Sequence, residues 1–78
     1  MPWVMSIHSR RLEVDLAPGV LGAEWAKLLD SILGQLVVVD RVVFLVPRGF
    51  EEGQAEHLED LVRRLTARGV NVERRHVE

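Results

Sequence analysis

The chain contains no cysteine, and this absence excludes disulfide bonds and thiolate metal sites. Its soft metal ligands are three isolated histidines, His8, His57 and His76, whose spacing matches no metal-binding motif. The glycines near position 20 form no phosphate-binding fingerprint. We therefore expect neither a metal site nor a cofactor.

The chain also lacks an excess of basic residues and a long apolar segment. Ten basic residues against twelve acidic ones give a formal charge of −2, which argues against a module that binds nucleic-acid phosphates. The longest uncharged stretch, 31–39, is far shorter than the roughly 20 residues that span a bilayer, and the N-terminus lacks a signal-peptide apolar core. The sequence thus predicts a cytoplasmic protein that binds neither nucleic acid nor membrane.

The length of 78 residues predicts one compact domain, 1–78. A chain this short removes only about 60% of its unfolded surface from water on folding. Without disulfides or metals, self-association is the remaining way to bury more apolar surface. We therefore expect a homo-oligomer or a protein partner.

An apolar run covers residues 36–46 and is interrupted only by Asp40 and Arg41. It is rich in β-branched residues, and Pro47 and Gly49 end it. Short runs of this kind are typical of strands buried on both faces. We predict that this run forms the central strand of a sheet.

Residues 3–16 predict a β-hairpin with a two-residue loop at Ser9 and Arg10. This pairing places six apolar side chains on one face: Trp3, Met5, Ile7, Leu12, Val14 and Leu16. A single continuous strand would instead divide them between both faces. The loop sequence differs from the Asn-Gly or Asp-Gly of favoured hairpin turns, so a longer loop or a bulge is the alternative.

Two stretches have helical periodicity. The first runs from about Val20 or Gly22 to Gly34, and Trp25 lies on its apolar stripe, where a core role is expected. The second runs from about Glu51 to Arg68 and is closed by Gly69. A last strand follows over 70–77, giving the order ββαβαβ.

This order predicts an α/β two-layer sandwich with a four-stranded mixed sheet and an N-terminal hairpin. Helices join the last three strands, which should be parallel with right-handed crossovers. If the strand order is 1-2-3-4, both helices lie mainly on one face. A different order would put one helix on each face and leave nothing exposed.

One bare sheet face would leave an apolar stripe of the central strand uncovered. The stripe comes from one of the two alternating sets, which contain Val42 and Phe44 or Val43 and Leu45. Exposed apolar stripes on small domains are usually interfaces, and a twofold homodimer is the commonest arrangement. We take these four residues as interface candidates.

Ligands of parallel sheets bind at the carboxyl ends of the strands. At this rim we expect Arg48, Glu51, Glu52 and His76 to lie close together. An enzyme would use His76 or Glu51 for proton transfer and Arg48 as an anion anchor. The simpler interpretation is that Arg74 and Arg75 neutralise the acids at the start of the second helix, Glu51, Glu52 and Glu56.

The element order, together with residues 63–70 (RRLTARGV), resembles the core of STAS domains, the small α/β modules of bacterial anti-sigma-factor antagonists. The resemblance implies a regulatory protein-interaction role. That family's switch is a phosphorylatable Ser or Thr after the central strand, whereas this chain has Gly49-Phe50-Glu51-Glu52-Gly53 there. No functional residue is transferred.

The leading hypothesis is a non-catalytic interaction or regulatory module that self-associates, or docks a partner, through the uncovered sheet face. The alternative is a small ligand-binding protein or hydrolase that uses the rim around Arg48, Glu51, Glu52 and His76. An enzymatic role is the less favoured of the two.

Overall fold

The computed structural model describes residues 3–77. Its elements are β1 (Trp3–His8), β2 (Arg11–Leu16), α1 (Gly22–Gln35), β3 (Arg41–Val46), α2 (Glu52–Ala67) and β4 (Asn71–His76). The strands form one sheet in the order β1-β2-β3-β4, with β1 antiparallel to β2 and the other pairs parallel. The predicted ββαβαβ fold is confirmed.

The N-terminal hairpin has the predicted register, from Trp3 opposite Leu16 to His8 opposite Arg11. Ser9 and Arg10 have φ angles of 49° and 67°, as a type I′ turn requires. A side chain in this left-handed region costs roughly 1–2 kcal/mol per residue. The apolar face of the hairpin, rather than favourable turn residues, therefore sets its register.

Both helices pack on one face of the sheet and form one core with it. From the strands the core takes Leu12, Val14, Leu16, Val42, Phe44 and Val46. From the helices it takes Trp25, Leu28, Ile32, Leu58, Leu61 and Leu65. The alternative with one helix on each face is excluded, and the other face of the sheet is open.

The helix α1 begins after Leu21, whose N–H donates to the Glu24 carboxylate at 2.9 Å. This side-chain contact satisfies one free donor at the helix start. Gly34 does not end α1 as predicted, because the helix continues to Gln35. In the described part of the chain, no helix has the length and apolarity needed to cross a membrane.

The prediction of a strand over 36–46 is wrong in its first part. Val38 and Val39 donate their N–H groups to the carbonyl of Gln35, which continues the chain as a turn after α1. Val37 is 87% exposed, Val39 is buried, and β3 begins only at Arg41. An unbroken apolar run gives no periodicity that could separate a helix-end turn from a strand.

The helix α2 ends close to the predicted position. Gly69 has a φ of +82°, and its N–H donates to the carbonyl of Thr66. Val70 N–H donates to the carbonyl of Leu65. This left-handed glycine turns the chain back into β4, which lies beside β3 at one edge of the sheet.

Candidate functional site

The four predicted interface residues of the central strand lie on both faces of the sheet. Val42 and Phe44 face the helices and are fully buried in the core. Val43 is also fully buried but lies outside the core cluster, which places it on the open face together with the half-buried Leu45. Of the four predicted interface residues, only Val43 and Leu45 therefore lie on the open face.

Charged side chains from the neighbouring strands account for the burial of Val43. In the sheet register it lies between Glu13 of β2 and Glu73 of β4. Arg11 binds Glu13 at 2.9 Å and Arg75 binds Glu73 at 2.6 Å. Because long charged side chains bury apolar surface under their stems, the uncovered stripe is narrower than the sequence suggests.

The open face carries three rows of side chains that run across the strands. One row is basic and contains His8, Arg11 and Arg41. The next contains the acids Glu13 and Glu73 on either side of Val43. The third is mixed and contains Val4, Asp15, Leu45 and Arg75.

The two edge strands differ in charge. β1 contains no Asp, Glu, Lys or Arg, and its Val4 and Ile7 are 64% and 48% exposed. β4 carries the adjacent charged residues Glu73, Arg74 and Arg75. Charged side chains on an edge strand discourage pairing with other chains. Within the described residues, β1 is therefore the edge without this protection.

The predicted rim residues do not share one cavity. Only His76 lines the hollow of about 470 Å³ between α2 and β4, where its neighbours include Phe50, Glu59 and Arg74. Arg48, Glu51 and Glu52 are exposed and lie outside this lining. Within residues 3–77, none of the four predicted rim side chains forms a hydrogen bond or ion pair.

The acids paired with the arginines of β4 also differ from those expected. Arg74 binds Glu59 of α2, and Arg75 binds Glu73 of its own strand. Alternation along a strand sends neighbouring side chains to opposite faces. Arg74 therefore reaches the helix layer, whereas Arg75 stays on the open face.

Trp25 has the predicted core position, with 5% of its surface exposed. Its ring stacks on His57, with centroids 5.7 Å apart, and meets the edge of Phe50. Its indole Nε1 donates to Gln54 Oε1 at 3.1 Å. These contacts join α1 to α2 and satisfy the only donor of the indole, so they give Trp25 a structural role.

A charge network on the surface of α2 surrounds Asp60. The hydrogen bond from Arg64 Nε at 2.9 Å, supported by Arg63, lowers the pKa of the Asp60 carboxyl below its ordinary value. Both ion pairs lie within α2 at i,i+3 and i,i+4 spacings, which stabilise helices. Over residues 3–77, His, Asp and Glu side chains form no group of three or more that could hold a metal ion.

Sequence reasoning misses a basic cleft at the hairpin end of the sheet. The cleft measures about 370 Å³ and is lined by His8, Ser9, Arg10, Arg11, Asp40 and Arg41. Arg11 and Arg41 are the first residues of β2 and β3 and lie directly opposite each other. The sequence shows an arginine at the start of each of two strands. Only the register between the strands shows that these two arginines lie side by side.

No protein-family model, curated protein or solved structure matches the chain. The resemblance in layout to STAS domains therefore gains no support from a matching relative.

Proposed function

We propose that this chain is a non-catalytic interaction module that associates with a second copy of itself through the free edge of β1. The main support for this proposal is the edge strand β1, which contains no Asp, Glu, Lys or Arg and whose Val4 and Ile7 are 64% and 48% exposed. An exposed apolar edge strand is a template for pairing with another chain. A small domain without disulfides gains core area from such pairing.

The backbone geometry of β1 supports this proposal. In a two-residue hairpin, the flanking pair His8 and Arg11 exchanges both backbone hydrogen bonds. Bonding alternates along the strand, so Ser6 and Val4 also bond to β2. The free N–H and C=O groups of β1 are therefore those of three residues: Trp3, Met5 and Ile7.

These free groups suit an antiparallel, twofold-symmetric pairing. With Met5 on the twofold axis, Trp3 of each copy lies opposite Ile7 of the other. Aromatic and β-branched cross-strand pairs contribute roughly 0.2–1 kcal/mol each, and no like charges face one another. The two four-stranded sheets then form one continuous sheet with all helices on the same face.

The open face provides a second candidate surface for the same partner. Leu45 is half-buried there, and Val4 of the same row is exposed. Flanking charges from Asp15 and Arg75 leave little continuous apolar area around Leu45. The edge of β1 is therefore the stronger candidate.

The test is molecular mass measured by light scattering over about a hundredfold dilution. We expect wild-type chains to associate as dimers and Ile7→Lys to lower the measured mass to that of a single chain. Ile7 is half-exposed, so the substitution leaves the core intact and places a charge beside the pairing edge. Asn71→Lys, an exposed position on the opposite edge strand, is the matched control and should remain dimeric.

Leu45→Glu distinguishes the edge from the open face. Loss of association in Leu45→Glu but not in Ile7→Lys would move the interface to the open face. A wild-type monomer at the highest concentration would contradict self-association altogether. Phe44→Glu is unsuitable as a probe, because Phe44 is fully buried and a charge there would unfold the chain.

A further inference from the structure

We propose that the cleft at the hairpin end of the sheet is a binding site for a phosphate group carried by a small soluble molecule. The cleft is open to solvent and measures about 370 Å³. Small-molecule sites have volumes of about 300–1,000 Å³, so it accommodates a small phosphate monoester. This site is independent of the proposed self-association.

A row of basic side chains lines the cleft. His8, Arg11 and Arg41 are successive cross-strand neighbours at the start of the sheet. Arg11 and Arg41 lie directly opposite each other on parallel strands, and like charges in that position are destabilising. A bound anion would convert this repulsion into attraction.

The basic side chains of the cleft have few counter-charges within the protein. Among the described residues, Asp40 is the only carboxylate that lines the cleft, and it binds Arg10 at 3.3 Å. Glu13 binds Arg11 at 2.9 Å and lies 3.9 Å from His8 Nε2. Among residues 3–77, Arg41 forms no ion pair or side-chain hydrogen bond. The guanidinium group of Arg41 is thus left for an external anion.

Arg11 contributes a buried donor to this region. Its Nε atom has no hydrogen-bond partner among the described residues, while the terminal Nη2 of the same side chain binds Glu13. Buried donors without partners are rare in proteins. Arg11 lines the cleft beside Arg41, so the contacts within the chain leave part of its hydrogen-bonding capacity unused.

The chemistry of the wall favours phosphate over a carboxylate. The cleft is lined by three arginines, Arg10, Arg11 and Arg41, and by one carboxylate, Asp40, while Glu13 pairs with Arg11 from the next row. Guanidinium groups donate parallel hydrogen bonds to phosphate oxygens, and a dianion balances two positive charges where a carboxylate balances one. The Ser9 hydroxyl on the same wall offers a further donor.

The test is a titration of the full chain with inorganic phosphate, followed by the backbone amide NMR signals at constant ionic strength. We expect saturable shifts centred on Ser9, Arg11 and Arg41, with acetate binding at least tenfold more weakly. Arg41→Gln should lower the phosphate affinity about tenfold or more, because it removes a charge-assisted contact. Arg10→Gln is a second variant with the same expectation.

The matched control is Arg48→Gln, which removes one charge at the opposite end of the sheet. It should bind phosphate as wild type does. Equal loss of affinity in Arg48→Gln and Arg41→Gln would show a general charge effect and overturn the site. Absence of saturable shifts, or equal binding of acetate and phosphate, would overturn it as well.

Discussion

At the scale of single residues, the open face shows how neighbouring strands can cover an apolar side chain without a second layer of structure. Val43 is fully buried although both helices lie on the other side of the sheet. Glu13 and Glu73 flank it, and each is held by an arginine. The alternation of the sequence predicts which residues share a face, but their exposure depends on the paths of long neighbouring side chains.

Asp60 provides a residue-scale prediction of pH dependence. Its pKa is lowered by the hydrogen bond from Arg64 and, to a smaller degree, by Arg63. A carboxyl group with a lower pKa in the folded state stabilises the fold above about pH 4, and this contribution is lost as the pH falls through the folded-state pKa. We expect Asp60→Asn to lower the urea unfolding midpoint slightly at pH 7, and the difference from wild type to shrink as the pH falls from 5 to 2.

Asp30→Asn is the control for this measurement, because Asp30 is exposed on α1 and lies outside the Asp60 network. It removes one aspartate charge but leaves the contacts of Asp60 with Arg63 and Arg64 in place. A difference between Asp60→Asn and wild type that stays constant over the acidic range would contradict the assigned role of Arg64.

At the scale of elements, the sequence predicts the hairpin best. The pairing of residues 3–16 that places the six apolar side chains on one face is the observed register, and the alternative of a longer loop or a bulge does not occur. Element ends are harder to predict, because they depend on individual hydrogen bonds. Gly34 lies inside α1, and the valines after the helix form a turn that bonds to Gln35.

Substitutions at two glycines test where α1 and α2 end. Gly34 lies in α1, and a Cβ added there would meet no atom within 4 Å, so Gly34→Ala should stabilise the fold by about 0.5–1 kcal/mol. Gly69 has a φ of +82°, so Gly69→Ala forces a side chain into the left-handed region and should destabilise the fold by roughly 1–2 kcal/mol. The urea dependence of far-UV circular dichroism measures both changes, and a shift of the same sign in both variants would contradict the assigned helix ends.

At the scale of the whole molecule, the order of elements predicts the sheet and its single helix layer, because short crossovers of one hand leave few arrangements. The sites are less predictable. The basic cleft exists because β2 and β3 pair Arg11 with Arg41, a register that neither strand specifies alone. Likewise, the difference in charge between β1 and β4 indicates a site for pairing only once the strand order shows that these two strands are the edges of the sheet.

The proposed self-association through β1 would make overall stability depend on protein concentration. Unfolding of a dimer releases two chains, so dilution favours the unfolded state by mass action. For chains of this length we expect the thermal unfolding midpoint to fall by about 4 °C per tenfold dilution, while the dimer is the folded species. Ile7→Lys should have a midpoint that does not change with concentration. Light scattering identifies the concentration range in which wild type is dimeric. If the thermal unfolding midpoint of wild type did not change with concentration in that range, dissociation of the dimer would not be coupled to unfolding.

The charged sequence of β4 has a consequence for how far such an assembly grows. A dimer joined through β1 uses up both uncharged edges, so its sheet ends in a copy of β4 at each side. Glu73, Arg74 and Arg75 then terminate the array, since another sheet would have to pair along a charged strand. In the proposed dimer, one edge strand of each chain is paired and the other is charged, so association would close at two copies instead of propagating into a filament.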